Sequence, residues 1–167
     1  GYYYRQTETT EAPDIALQNA GKVFVFKQDI PQTIVEMMQP GIDRHHPDYQ
    51  LAQVMNFVLG SSGFGSRLTE EIREKRGLAY SVYSYFIPMK LPGAYQIGLQ
   101  TKKNQADEAL QLVRATLREF IDKGVTKKEL QASKQNIIGG FPLRIDSNKK
   151  IVDYLSVIGF YELPLPY

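Results

Sequence analysis

Arg73 and Tyr80 stand seven positions apart, and their types suit one particular chemistry. A guanidinium and a phenol aimed at one point can hold a peptide carbonyl by two hydrogen bonds, and hold it more tightly once it becomes an oxyanion. Arg73 falls near the end of a short predicted helix, and Tyr80 near the start of a predicted strand. Gly77 reverses the chain between them, which can bring both polar ends to the same edge of a sheet. On spacing alone the plainer reading wins: an arginine in a surface salt bridge and a tyrosine in the core.

The other chemistry-bearing groups are weaker. His45 and His46 are adjacent. Neighbouring helical residues point about 100° apart, so one helix cannot aim both at a single metal. No His-x-x-Glu-His, His-Glu-x-x-His or carboxylate cluster surrounds them, and they read as polar groups at a helix start. Gly60-Ser61-Ser62-Gly63-Phe64-Gly65 precedes a helix, where backbone N–H groups attract anions. It lacks the Lys-Ser/Thr ending of a phosphate loop and follows a helix rather than a strand. Gly60, Gly63 and Gly65 therefore read as a hinge or tight turn. None of Ser61, Ser62, Ser66, Ser81 and Ser84 sits in Gly-x-Ser-x-Gly, and no Asp/His partner is apparent. Cysteine is absent, which excludes disulfides, thiolate zinc sites and a cysteine nucleophile.

The elements that must position these groups follow from the pattern. Lys22–Lys27 is β-branched and aromatic and predicts a strand. Thr33–Met38 predicts a second one, and the short link between them suggests antiparallel neighbours. Pro47 suits a first helical position with His46 as N-cap. Leu51, Val54, Met55, Val58 and Leu59 then give an apolar stripe. Ser66 can cap a short helix with Leu68 and Ile72 inside and Gly77 at its end. Leu78–Ile87 and Ala94–Thr101 predict an antiparallel hairpin; in the second strand Tyr95, Ile97 and Leu99 alternate with polar residues. Tyr83, Tyr85 and Tyr95 are candidates for an inner face or for the core.

Asn104 is placed to cap a helix with the stripe Ala106, Ala109, Leu110, Val113, Leu117, Phe120 and Ile121. Thr126–Glu129 is a capping-box pattern opening the next helix, with Leu130, the Lys134 stem, Ile137, Ile138 and Phe141 on its stripe. Ser147 can cap a last helix carrying Ile151, Val152, Leu155 and Ile158. The order β-β-α-α-β-β-α-α-α predicts an α+β fold: an antiparallel sheet with helices packed on one face. Residues 1–21 read as a linker or entering arm, and 22–167 as one domain.

Composition narrows the function classes. The 167 residues suffice for one domain with a real core and are too few for two ordinary ones. Lys+Arg 20 against Asp+Glu 18 leaves a net charge of +2, which gives no general case for nucleic-acid binding. Between 122 and 150 seven basic groups oppose three acidic ones, a pattern read as a solvated helix face. No apolar run approaches the ~20 residues of a membrane helix. No signal peptide is visible, and the compartment stays open between bacterial periplasm and cytoplasm. Gly1 and Tyr167 suggest a piece of a longer protein, truncated at its C-terminal end.

The stretch Ser66-Arg67-Leu68-Thr69-Glu70-Glu71-Ile72-Arg73-Glu74-Lys75-Arg76-Gly77-Leu78-Ala79-Tyr80-Ser81 resembles a signature of the C-terminal, non-catalytic half of zinc peptidases of the pitrilysin/insulinase family, which includes mitochondrial processing peptidase. His46-Pro47-Asp48-Tyr49, Thr126–Glu129 and Asp146-Ser147-Asn148 fall in the right order beside it. The resemblance implies two similar α+β halves around a closed chamber. One half carries His-x-x-Glu-His and a third glutamate ligand. The other supplies an arginine and a tyrosine seven residues apart to the substrate carbonyl near the partner's zinc, positions matched here by Arg73 and Tyr80, with Gly60–Gly65 as the preceding loop.

No His-x-x-Glu-His occurs in this chain. The resemblance thus implies no metal or catalytic residue here, zinc in a partner half on the same polypeptide or a separate subunit, a peptide or small-protein substrate, and no activity of this chain alone. Two other readings stand beside it. One is a structural core subunit without proteolysis. The other is a module that binds extended peptides at a sheet edge.

Overall fold

Alternation fixes the centre of the fold. Along Ala94–Lys102 (β3) the apolar residues Tyr95, Ile97 and Leu99 point one way and are buried. β3 lies between two antiparallel partners, Gln32–Pro40 (β1) and Ser81–Phe86 (β2). Cross-strand rows put Val35, Leu99 and Val82 side by side, then Met37, Ile97 and Ser84. The computed structural model describes residues 16–61 and 65–164.

That apolar face is covered by Tyr49–Leu59 (α1), by the short Thr69–Glu74 helix and by Ala106–Lys123 (α2). Val58, Leu59, Leu68, Ile72, Ala109, Val113 and Phe120 join the sheet residues in one apolar cluster. Full burial of a side chain such as Leu68 or Ile72 is worth about 1.5–3 kcal/mol. Lys127–Gly140 (α3) packs on α1 in a second layer, where the Ser133 hydroxyl donates to the Val54 carbonyl at 3.3 Å. Asn148–Phe160 (α4) follows. The architecture is the expected α+β one, with helices on one face of an antiparallel sheet.

A buried polar knot fastens α1 to the sheet. The Asn56 amide donates to the Ser84 carbonyl at 3.1 Å. Its oxygen accepts from the Ser84 hydroxyl at 2.7 Å and from the Tyr95 phenol at 3.1 Å. Burial pushes the Tyr95 phenol pKa up, so it stays a neutral donor. At the far end Arg44 lies over the Tyr161 ring, 4.7 Å from its centroid, joining the segment before α1 to the one after α4.

Several expectations are corrected. Lys22–Lys27 forms no strand and does not pair with β1; its side chains are exposed, Phe26 at 86%. The composition was right for a pleated surface, but a strand exists only where a ladder partner meets it. β1 pairs instead with β3, and its ladder runs to Pro40. Asp48, not His46, precedes α1; the His46 carbonyl accepts from Tyr49 and its Nδ1 from the Asp48 N–H, so Pro47 sits in a turn.

Asn104 lies in a 3₁₀ turn, Lys103–Gln105, and α2 begins at Ala106 with no side-chain cap. Ile121, Ile138, Phe141, Ile151, Val152 and Leu155 are exposed rather than core. Other local signals are reproduced: the capping box of Thr126 and Glu129, the Ser147 cap, and Ser66 paired with Thr69 at the start of the short helix. Gly77 and Gly124 take φ of +61° and +66°, where a side chain would be strained, and end their helices.

Candidate functional site

The backbone on both sides of the Arg73–Tyr80 stretch is held. The Thr69–Glu74 helix is wound as a π-helix, in which the Lys75 N–H reaches the Glu70 carbonyl at 2.9 Å. Such wide turns are rare and occur frequently at functional sites. The Gly77 N–H closes on the Arg73 carbonyl and the Leu78 N–H on that of Ile72, both at 2.9 Å. Ile72, Leu78 and Ala79 are buried, and the Tyr80 N–H extends the β2–β3 ladder by donating to Gln100 at 2.8 Å.

Arg67 moors the start of this helix. Its guanidinium makes two parallel bonds to Glu129 and a third to the Gly124 carbonyl at 2.8 Å, and it lies over the Phe120 ring. The sequence reading passed over this arginine. Its partners come from the end of α2, the turn after it and the start of α3, a meeting that no local pattern foretells.

Arg73 has a half-exposed side chain, and its Nε lies 3.6 Å from a Glu74 carboxylate oxygen. The stronger ion pairs of the helix belong to Lys75 and Arg76, which share Glu71 at 2.6 and 2.7 Å. Those bonds hold the Glu71 carboxyl below its usual range, Lys75 contributing most. Arg73 is thus left on a longer, weaker contact. Tyr80 is 54% exposed. No hydrogen bond joins it to Arg73 among the described residues. Tyr80 instead lines an open groove of about 620 Å³ with Pro31, Gln32, Lys102, Lys103 and Asn104. The sequence pattern singled out neither lysine, because Lys102-Lys103 falls between the strand expected at Ala94–Thr101 and the helix cap expected at Asn104.

The glycine loop is described at its two ends. Gly60 ends α1; its carbonyl accepts from the Ser84 N–H at 2.7 Å, and a Cβ there would strike the Ser84 hydroxyl. Gly65 has φ +99° with open space around it. Gly63 lies outside the described residues.

On the uncovered sheet face Tyr83 lies across Gly98, donates to Glu36 at 2.9 Å and stacks on Tyr85. The Glu36 carboxylate raises the Tyr83 pKa. Tyr83 and Tyr85 therefore belong to the open face, and Tyr95 to the core. No group of three or more metal-ligating side chains exists among the described residues. With no such group, and with His46 Nδ1 already accepting from the Asp48 N–H, the described residues do not fit zinc. No helix among the described residues is long and apolar enough to cross a membrane.

Residues 5–137 match the family model described as the peptidase M16 inactive domain. The chain belongs to the M16 inactive-domain family. This is the family that the 66–81 stretch resembles. The domain is 34% identical over 164 residues to the non-peptidase homolog YmxG of Helicobacter pylori, covering 98% of this chain and 35% of that protein. It is 39% identical over 103 residues to the uncharacterized zinc protease YmxG of Bacillus subtilis, covering 62% of this chain and 25% of that one. Among solved structures it superposes on an M16 inactive domain from Pseudomonas fluorescens with a TM-score of 0.77 and 43% identity, over 83% of this chain and 33% of that one. The M16 inactive domain in hand thus spans about a third or less of the curated relatives it matches.

Proposed function

We propose that this M16 inactive domain is the non-catalytic, substrate-binding half of a zinc metalloendopeptidase. The catalytic half brings the zinc. This half completes a chamber around a peptide and presents Arg73 and Tyr80 to the carbonyl of the bond that is cut. The observation that carries the reading is family membership combined with an exposed Arg–Tyr pair whose backbone is held at both ends. As the carbonyl becomes tetrahedral its oxygen gains charge, and hydrogen bonds to it from the guanidinium and the phenol strengthen.

The test is kinetic. With the zinc-bearing half present, Arg73→Ala and Tyr80→Phe should each lower kcat by about 10²–10³ and alter KM little. Their melting temperatures should match the parent's, because both polar ends are solvent-exposed. Full turnover in Tyr80→Phe would overturn the assignment.

The relative from H. pylori favours a second reading, since it is named a non-peptidase homolog. Under it the domain is a structural subunit of an assembly that cuts nothing. A partner half without His-x-x-Glu-His, and no cleavage of a peptide library by the assembled protein, would establish that reading over the first.

A further inference from the structure

We propose that the groove beside Tyr80 selects peptides carrying an acidic side chain close to the bond that is cut. The inference rests on the reading that Tyr80 faces the substrate carbonyl, and it adds the substrate class. The groove lies where β1 begins and β3 runs into α2, and at about 620 Å³ it falls within the roughly 300–1,000 Å³ of sites that take small groups. Its walls offer two ammonium groups and no carboxylate.

Neither Lys102 nor Lys103 has an ion-pair partner among the described residues, a state shared with Lys27, Lys127, Lys128 and Lys134; what sets these two apart is that they stand side by side in one groove. The neutral groups in the groove also donate. Tyr80 offers its phenol and Asn104 its amide, while Gln32 has its oxygen engaged by Gln100, which leaves its N–H₂. Donors and cations without an acceptor charge fit a carboxylate and repel a lysine or arginine. Tyr80 and the two lysines line the same groove, so an extended chain held at Tyr80 brings a neighbouring side chain to the lysines.

The experiment uses the domain assembled with its catalytic half and a fluorogenic nonapeptide in which one glutamate is scanned along the sequence against glutamine at the same position. At low salt one position should show a glutamate preference of about three- to tenfold in kcat/KM, collapsing toward parity near roughly 0.5 M NaCl. Lys102→Glu with Lys103→Glu should abolish or reverse it, with lysine at that position becoming the better substrate.

If the assembly cleaves nothing, the same peptides with a fluorescein label report the same ratio in Kd by anisotropy. An equal response to glutamate and glutamine at every position, or a preference untouched by the charge reversal, overturns the inference. Tyr80→Phe separates the two claims. Full turnover there with the glutamate preference intact removes the carbonyl role of Tyr80 and leaves the groove's selectivity standing.

Discussion

Arg67 holds Glu129, 62 positions along the chain, with two parallel bonds: Nε to Oε1 at 2.6 Å and Nη2 to Oε2 at 2.8 Å. One end of the pair starts the helix that carries Arg73. The other is the third residue of α3, where Glu129 also accepts from the Thr126 N–H at 2.7 Å.

Acid stability should report this pair. The Arg67 bonds, helped by Thr126, pull the Glu129 carboxyl down to about 2, against roughly 4.3 in an unfolded chain. A lowered folded-state pKa gives a contribution that is complete above about pH 5 and is lost as the pH falls toward 2. Glu129→Gln should cost about 1–2 kcal/mol at pH 7 and much less near pH 2.5, since the pair is partly exposed. Urea midpoints of both proteins at the two pH values measure the difference. A constant gap would mean that the pair contributes no charge-dependent stability.

The Asn56 knot should be costly to open from one side. Asn56→Leu leaves the Ser84 hydroxyl, the Ser84 carbonyl and the Tyr95 phenol buried without their partner, and should destabilise by about 2–4 kcal/mol. Tyr95→Phe removes a single donor and should cost about 1 kcal/mol. Equilibrium unfolding separates the two, and a neutral Asn56→Leu contradicts the network.

Gly98 leaves the room that Tyr83 occupies. A Cβ at Gly98 would run into the phenol ring, so Gly98→Val should cost about 1–3 kcal/mol. Adding Tyr83→Ala should recover part of that loss. A double-mutant cycle with strictly additive terms would show that the ring does not depend on the glycine.

Zinc should pass this domain by. After incubation with zinc and exhaustive dialysis, elemental analysis of the domain alone should give far less than one metal per chain, because no third ligating side chain joins the two histidines among the described residues. One tightly held zinc per chain contradicts this.

The legible parts of the fold were those written locally. Alternation at Tyr95, Ile97 and Leu99 located β3, and Thr126 with Glu129 located the start of α3, because each signal is complete within a few residues. The strand at Lys22–Lys27 failed because pairing is a property of two segments, and residues 22–27 carry only one side of it. The stripes of α3 and α4 say which face is apolar and are silent on what covers it; Ile138 is 72% exposed.

Tyr83 and Tyr95 could not be separated by composition, since both suit a strand. The register decides that one faces Gly98 while the other faces Asn56. Arg73 and Tyr80 were singled out through the resemblance of the 66–81 stretch, since on spacing alone the plainer reading won. The lysines beside Tyr80 required three-dimensional proximity, because the chain reaches that groove from Pro31, Tyr80 and Lys102.

The strand order also dictates a sequence of events in time. Phe86 and Tyr95 pair nine positions apart, whereas Gln32 and Lys102 pair 70 apart, and both ladders use β3. Closing the longer loop loses more chain entropy before any contact repays it. The β2–β3 hairpin should therefore zip first, and β1 should arrive as a late addition to an edge already formed. Substitutions such as Val82→Ala and Leu99→Ala should slow folding, while Val35→Ala should chiefly hasten unfolding; stopped-flow chevrons that put all three on the same limb would contradict that order.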